Sequence, residues 1–414
     1  MLEEALDLRD AIKQSARSLH PRIQELRRFL HRRPELSEQE YGTTEYLAQQ
    51  ITSLGLTPML AGDGRGLWAD VHSNGPRRAP RVALRGDIDA LPIHSGLQTS
   101  YASLHPHVMH ACGHDAHTAM VWGAMAILAQ LAATTDLPID FAARGIFQPA
   151  EETSTGGIHM IDAGALEGVT SAIALHVDPT RPVGTFGYRD GPFTAGCDVF
   201  ELTVTGKAGH GARPHQTGDT IGAAATWVLD AYRQLPRHHD ALDPIVINVG
   251  QINGGIAANV VPGAVHLSGT VRALSMEASE QARELMSHLA VALQWSHRVR
   301  TSLQFVRHTP PVLNDVTVCA RFREAAEEIV GVSNVHAIER PSMGAEDFAF
   351  FASKVPAAML RIGVAGDAVG NAPLHTPLFD IDETALEHGS AALALAALEL
   401  SSRSPSTTEA MSDE

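Results

Sequence analysis

Apolar and polar positions follow one another in different rhythms along the chain, and each rhythm predicts a different element. The stretch "LSEQEYGTTEYLAQQITSLG" (36–55) reads as a helix opened by a capping box from Ser37 to Glu40 and stopped at Gly55. Four short β-rich runs come next: "GLWADVH" (66–72), "RVALRGDID" (81–89), "IDFAARGIFQPAEE" (139–152) and "SAIALHVD" (171–178). Several are nearly continuous in apolar residues, as strands of a buried parallel sheet are. Helical stretches separate them, notably Asp115–Ala133 with Met120, Val121, Ala124 and Leu128 on one face. Such alternation predicts an open, mostly parallel α/β sheet with helices on both faces.

From about Cys197 the rhythm changes. "DVFELTVTGKAG" (198–209) alternates with period two, a helix is expected over Thr220–Gln234, and "PIVINVGQI" and "GAVHLSGTVRAL" read as strands. A second helix over Glu277–Trp295 and the strand "TSLQFVRH" complete a βαββαβ order, the ferredoxin-like arrangement. After Pro310-Pro311 the α/β texture resumes, with "AAMLRIG" as a strand and a last helix from Glu383. The expected organisation is a main domain over 1–194 and 309–402, interrupted by an α+β satellite domain over 195–308. A polar tail over 403–414 is expected to be disordered.

Composition narrows the classes. At 414 residues the chain exceeds one ordinary core, which agrees with two domains. A net charge of −16, with no block of five or six like charges, argues against nucleic acid and anionic lipid as partners. The charged N-terminal stretch reads as helix, not as a signal peptide, and the most apolar segments are too short to cross a bilayer. Three scattered cysteines, Cys112, Cys197 and Cys319, do not make a disulfide framework, so a reduced, cytoplasmic protein is expected.

Chemistry gathers at the strand ends. Asp87 and Asp89 close one run, Glu151 and Glu152 another, and His176 and Asp178 a third. In an open α/β sheet ligands bind beyond the carboxyl ends of the strands, so these groups are expected to face one crevice. Cys112 and His114, in "VMHACGHDAHTAM" (108–120), and His375, in "APLHTPLFDIDE" (372–383), are placed to join them from loops. Lone histidines such as His105, His107 and His159 read as surface or structural residues, and His117 as part of the first turns of a helix.

Cysteine, histidine and glutamate together suit borderline transition metals better than Ca²⁺ or Mg²⁺. Two adjacent glutamates allow one to bind metal and the other to handle protons. Two metals about 3.5–4 Å apart would activate water and polarise a carbonyl, which points to a metallohydrolase. A thiol hydrolase using Cys112 with His114 or His117 is a rival, but it leaves Glu152, His176 and His375 without a role. A non-catalytic binding protein on the same fold is a second.

The motifs "RGDIDALP", "HPHVMHACGHDAHTAM", "IFQPAEE", "LHV", "GKAGHGARPH", "GGIAANVVP", "SGTVR", "MGAEDFAFF" and "PLHTPLFDIDE" occur in this order. In that order they resemble the M20 metallopeptidase family, nearest its amidohydrolase branch of hippurate, N-acyl-amino-acid, auxin-conjugate and N-acetyldiaminopimelate hydrolases. The resemblance spans about Leu30 to Leu398. It implies a zinc-peptidase-like catalytic domain with a satellite domain that serves as lid or dimerisation surface. It also implies Cys112, His114, Glu152, His176 and His375 as ligands of two divalent metals, Mn²⁺ or Zn²⁺ with Co²⁺ or Ni²⁺ as alternatives. Glu151 matches the general base, Asp89 a supporting acid, and Asp87 stands where peptidase branches have a histidine ligand. His210 resembles an oxyanion donor from the satellite domain, Asn259 and Arg272 resemble holders of the substrate carboxylate, and Gly344 and Glu346 should line the leaving-group pocket. The implied reaction is hydrolysis of an N-acyl-L-amino acid by a homodimer or larger homo-oligomer, with domain closure as a gating step. A dipeptidase or carboxypeptidase of the same family is the nearest alternative.

Overall fold

The fold is described from a computed structural model that covers residues 2–73, 79–133 and 139–402. The expected disordered tail over 403–414 lies outside the described residues. The chain divides into two compact units, one of Met1–Gly191, Leu313–Glu339 and Phe350–Glu414, the other of Pro192–Val312 and Arg340–Ala349.

The first unit begins with α1 (Leu2–Arg32), α2 (Tyr41–Thr52), β1 (Met59–Leu60), β2 (Leu67–His72) and β3 (Arg81–Asp87). It continues with α3 (His114–Ala132), β4 (Ala142–Gln148), α4 (Gly156–Asp162), β5 (Val169–Pro182) and β6 (Phe186–Tyr188). The second unit contributes β7 (Gly196–Gly206), α5 (Thr220–His238), β8 (Ile245–Gly254), β9 (Ala264–Ala273), α6 (Met276–His297) and β10 (Val299–Thr309). The first unit is then completed by α7 (Val316–Val330), β11 (Val335–Ala337), β12 (Ala357–Ala365) and α8 (Thr384–Ser401).

The sheet of the first unit has the order β1-β2-β4-β3-β5-β12-β6-β11 and is mainly parallel. Its centre, β4-β3-β5-β12, is parallel throughout. Every residue of β4 is buried, and so is every residue of β3 after Arg81. This is why these runs read as continuous rather than alternating. Arg144 on β4 is tolerated inside because Asp70, directly opposite on β2, takes it with two bonds of 2.7 and 2.9 Å. Alanine-rich α3 and α8 pack against each other and against β3 and β4, with α1 lying across both. Their approach is close: a methyl group on Gly123 would stand 2.3 Å from Ser390 Oγ.

Register brings the functional strand ends level. Asp87 pairs with Gln148, Arg85 with Ala174, and Arg361 with His176. The carboxyl ends of β3 and β4 and the His176 position of β5 therefore share one edge of the sheet.

One local expectation fails. Ser37 and Glu40 do not form a capping box: α2 starts at Tyr41, and its N-cap, Glu40, makes no side-chain cap bond. Both side chains are drawn to tertiary partners instead, Ser37 to Asp89 and Glu40 to the Ala150 amide. The stop at Gly55 does form, with Gly55 N bonded to Thr52 O, Leu56 N to Ile51 O, and Gly55 at φ 77°.

In the second unit the strands and helices follow the order βαββαβ, and the antiparallel sheet runs β8-β9-β7-β10. Its core is Phe200, Leu202, Val204, Trp227, Leu267, Met286 and their neighbours. The segment Arg340–Ala349 is tied to this unit by Arg272 NH1 donating to Met343 O at 2.9 Å and by the Ala195–Ser342 backbone bond at 2.8 Å.

Asp198 on β7 is buried and accepts from Ser279 Oγ, from His308 Nδ1 at 2.7 Å and from Arg283 at 3.1 Å. Burial pushes its carboxyl up, but these partners outweigh it and hold it below the usual range. A carboxylate depressed in the fold adds stability that is fully present above its unfolded pKa of about 4 and is lost as pH falls through the folded value. Asp198→Asn is expected to cost about 1.5–3 kcal/mol at pH 7. Urea midpoints of parent and variant should converge below pH 4, and a gap that stays constant with pH would remove the ion-pair explanation.

Candidate metal centre

The expected cluster assembles within the first unit. His375 Nε2 lies 3.3 Å from Cys112 Sγ and 3.4 Å from Glu152 Oε1, and His176 Nε2 lies 3.7 Å from the same sulfur. His114 Nε2 stands 3.8 Å from Glu151 Oε2, 3.9 Å from Glu152 Oε1 and 3.8 Å from Asp87 Oδ2. Donor atoms of Cys112, Glu152 and His375 lie close enough to hold one ion, and so do those of His114, Glu151 and Glu152. Glu152 belongs to both groups.

Hydrogen bonds fix which histidine nitrogens face inward. His114 Nδ1 lies 3.1 Å from Asp89 Oδ1 and 3.0 Å from Asp89 O, so Nδ1 donates there and Nε2 is the nitrogen turned toward the cluster. His176 Nδ1 donates to Val177 O at 2.8 Å, which turns its Nε2 toward Cys112. His117 differs. Its Nε2 accepts the Val177 amide at 2.9 Å and its Nδ1 donates to Asp87 at 2.7 Å, so both nitrogens are used. It supports β3 and β5, and the proximity of Asp87, His114 and His117 does not make a metal triad.

The fit to a cation rests on the polar atoms left over. Among the described residues, His114 Nε2 and Glu152 Oε1 are buried and have no hydrogen-bond partner. Two such atoms in one cluster leave a polar deficit that a bound ion would fill. Negative potential gathers there: burial acts against charge on His114, yet Asp87, Cys112 and the bond to Asp89 hold its pKa well above the ordinary value. Burial pushes the Cys112 thiol up, so a neighbouring cation is what would make it a thiolate. The residues therefore fit a site for divalent metal with cysteine, histidine and carboxylate donors.

Local backbone brings these side chains in. Gly113, between Cys112 and His114, has φ 85°, and a Cβ there would lie 2.5 Å from Val177 Cγ2. Val177 is β-branched and stiff, so neither side yields. Gly113→Ala is expected to destabilise the fold by about 2–4 kcal/mol, left-handed strain and overpacking combined. A denaturant midpoint equal to that of the parent would contradict this. Ala150 (φ 54°) and His375 (φ 60°) are also left-handed, one just before Glu151 and the other at a ligand. His375 has a side chain 52% exposed, so the cluster opens to solvent there.

Around the donors lies a supporting layer in which the sequence pointed to Asp87 and Asp89 but not to Ser37, Glu40, Arg85 or Arg27. Asp89 Oδ2 takes the Glu152 amide at 3.0 Å and Ser37 Oγ at 2.7 Å. Arg85 pairs with Asp87 at 2.6 Å. Glu40 is fully buried, and burial together with Asp89 raises its pKa to about 7. Arg27 on α1 is buried among Asp115, Asp380 and Glu383, at 2.8, 2.7 and 3.2 Å. It thereby ties α1 to the start of α3 and to the segment that follows His375. Asp178, expected at the crevice, instead accepts from Thr180 and Arg181 further along β5. His110 is buried and pushed down to about 4 by burial, which suits a neutral packing residue.

The remaining predicted residues lie in the second unit. His210 and Asn259 are exposed neighbours: Val260 pairs with His210, and Gly211 N donates to Asn259 O at 2.8 Å. Arg272 is half-buried with Met343, Gly344 is exposed, and Glu346 is buried with an oxygen on the Phe348 amide at 2.9 Å.

The model of peptidase family M20/M25/M40 matches residues 83–399. A protein of Synechocystis named "Probable hydrolase" is 39% identical over 93% of this chain and 97% of its own length. An N-acetyl-L-cysteine deacetylase of Bacillus subtilis is 34% identical over 87% of this chain and 84% of its own. The crystal structure of the Bacillus subtilis YxeP protein, a dinuclear metal-binding peptidase of the M20 family, superposes with a TM-score of 0.78 at 30% identity, over 93% of this chain and 99% of that one.

Proposed function

The chain belongs to peptidase family M20/M25/M40, and from that premise we propose that it hydrolyses the amide bond of N-acyl-L-amino acids. The products are a carboxylate and a free amino acid. That it is a metal-dependent hydrolase acting on amide bonds follows from the family. The choice of substrate class is the proposal, and similarity to a deacetylase of an N-acyl amino acid supports it.

The observation that carries the reading is the convergence of Cys112, His114, Glu151, Glu152 and His375 around two buried atoms without hydrogen-bond partners. Cys112, His114, Glu152, His176 and His375 are proposed to hold two divalent ions, Mn²⁺ or Zn²⁺. When bound, these would lower the pKa of water and polarise the amide carbonyl. Glu151, beside His114 Nε2, takes a proton from the attacking water and delivers it to the departing amine nitrogen. Asp89 fixes His114 through Nδ1 and Glu152 through its amide, an orienting role. His210 is assigned the oxyanion, Asn259 and Arg272 the substrate carboxylate, and Gly344 and Glu346 the leaving-group pocket. Among the described residues no helix is long and apolar enough to cross a membrane. The proposal extends to a cytoplasmic homo-oligomer on the strength of composition and family resemblance.

The test is a panel of N-acetyl, N-benzoyl and longer N-acyl amino acids beside dipeptides, given to metal-loaded protein, with release of amino acid measured. Preference for N-acyl amino acids over dipeptides supports the reading. The reverse preference would replace it with a dipeptidase or carboxypeptidase.

A further inference from the structure

The S-x-x-E pattern that reads as a helix cap has another use in the folded chain. Ser37 Oγ donates to Asp89 Oδ2 at 2.7 Å, the same oxygen that receives the Glu152 amide at 3.0 Å. Glu40 reaches across 110 sequence positions, and its Oε1 accepts the Ala150 amide at 2.7 Å. Ala150 sits at φ 54°, a conformation that costs a residue other than glycine about 1–3 kcal/mol and persists only when its surroundings impose it. Its carbonyl is held from inside the loop by Thr155 N at 3.2 Å and Gly156 N at 3.1 Å. Among the described residues, Glu40 is the one acceptor for its amide.

We propose that Ser37 and Glu40 are positioning residues that brace the turn 149–152 from outside and thereby aim Glu151 and Glu152. The two bonds act on successive parts of one short segment, one on the amide before Glu151 and one on the carboxylate that holds the Glu152 amide. Neither residue touches substrate. The proposal rests on the roles given above to Glu151 and Glu152.

The brace needs an acceptor at Glu40, not a charge, so Glu40→Gln should preserve it. Glu40→Leu keeps the volume but leaves a buried amide unpaired. The Leu variant is expected to lose about 10–100-fold in kcat, the cost of a small misplacement at a reacting centre, with bound metal unchanged. KM in that variant and kcat in the Gln variant should stay within about threefold of the parent. In the metal-free protein, amide hydrogen exchange over 150–155 should accelerate at least about tenfold for Leu and not for Gln. Unaltered exchange in the Leu variant, or equal kcat in the two variants, would overturn the proposal. Should Glu40→Leu not fold, Ser37→Ala decides on the same readouts, with a loss of about 3–10-fold in kcat expected. Parent-like exchange and kcat in that variant would overturn it. Absence of hydrolysis by the parent on every N-acyl amino acid would count against the substrate reading, while the exchange comparison still decides the brace.

Discussion

Glu151→Gln is expected to leave metal content unchanged and to lower kcat by about 10²–10⁴-fold, the usual contribution of a positioned general base. Glutamine keeps the size and polarity of the side chain at a position only 10% exposed, so packing is preserved. It lacks the negative charge and the capacity to take up a proton, the two properties a general base needs. Glu152, which belongs to both donor groups, stays in place to hold metal. Metal analysis and turnover on the same preparation check the split. A variant retaining more than about a tenth of parental kcat would move the base to another residue.

Removal of metal should be as severe. Treatment with a strong chelator is expected to reduce activity by more than about 100-fold, and added divalent metal should restore it. Alkylating agents should be slow on both forms, because Cys112 is buried and burial keeps its thiol protonated when no cation is near. Loading must therefore displace a proton from Cys112, and one also from His114, whose pKa is held well above its ordinary value in the metal-free cluster. Metal affinity should accordingly strengthen as pH rises, with proton release visible by calorimetry in buffers of different ionisation heat. An enzyme indifferent to chelation and killed by alkylation would instead be the thiol hydrolase that "VMHACGHDAHTAM" permits.

What the sequence disclosed about the fold depended on whether a signal was self-contained. Continuous apolar runs marked β3, β4 and β5 because burial on both faces leaves no polar alternation. The donors at their ends were legible because strand direction places carboxyl ends together. Ser37 and Glu40 depart from the helix-cap expectation for a physical reason. The pattern S-x-x-E satisfies a helix start locally, and nothing nearby reports that Asp89 and the Ala150 amide compete for the same side chains. His110 and His117 lie in the same short segment, on either side of Gly113, yet their surroundings differ. One packs without a hydrogen bond to its ring, while the other bridges Asp87 and Val177, a distinction made only by residues far away in sequence.

The sheet order has a further consequence for biosynthesis. Strands β5 and β6 are consecutive in the chain, yet β12 lies between them, paired parallel to one and antiparallel to the other. A nascent chain that has not reached Ala357 holds Cys112, His114, Glu152 and His176 but lacks the strand that closes the sheet beside His176. It also lacks His375. The donor group of Cys112, Glu152 and His375 can therefore close only after the chain has passed His375. A product truncated earlier would display an open parallel edge, a template for aggregation, with no assembled centre to stabilise it.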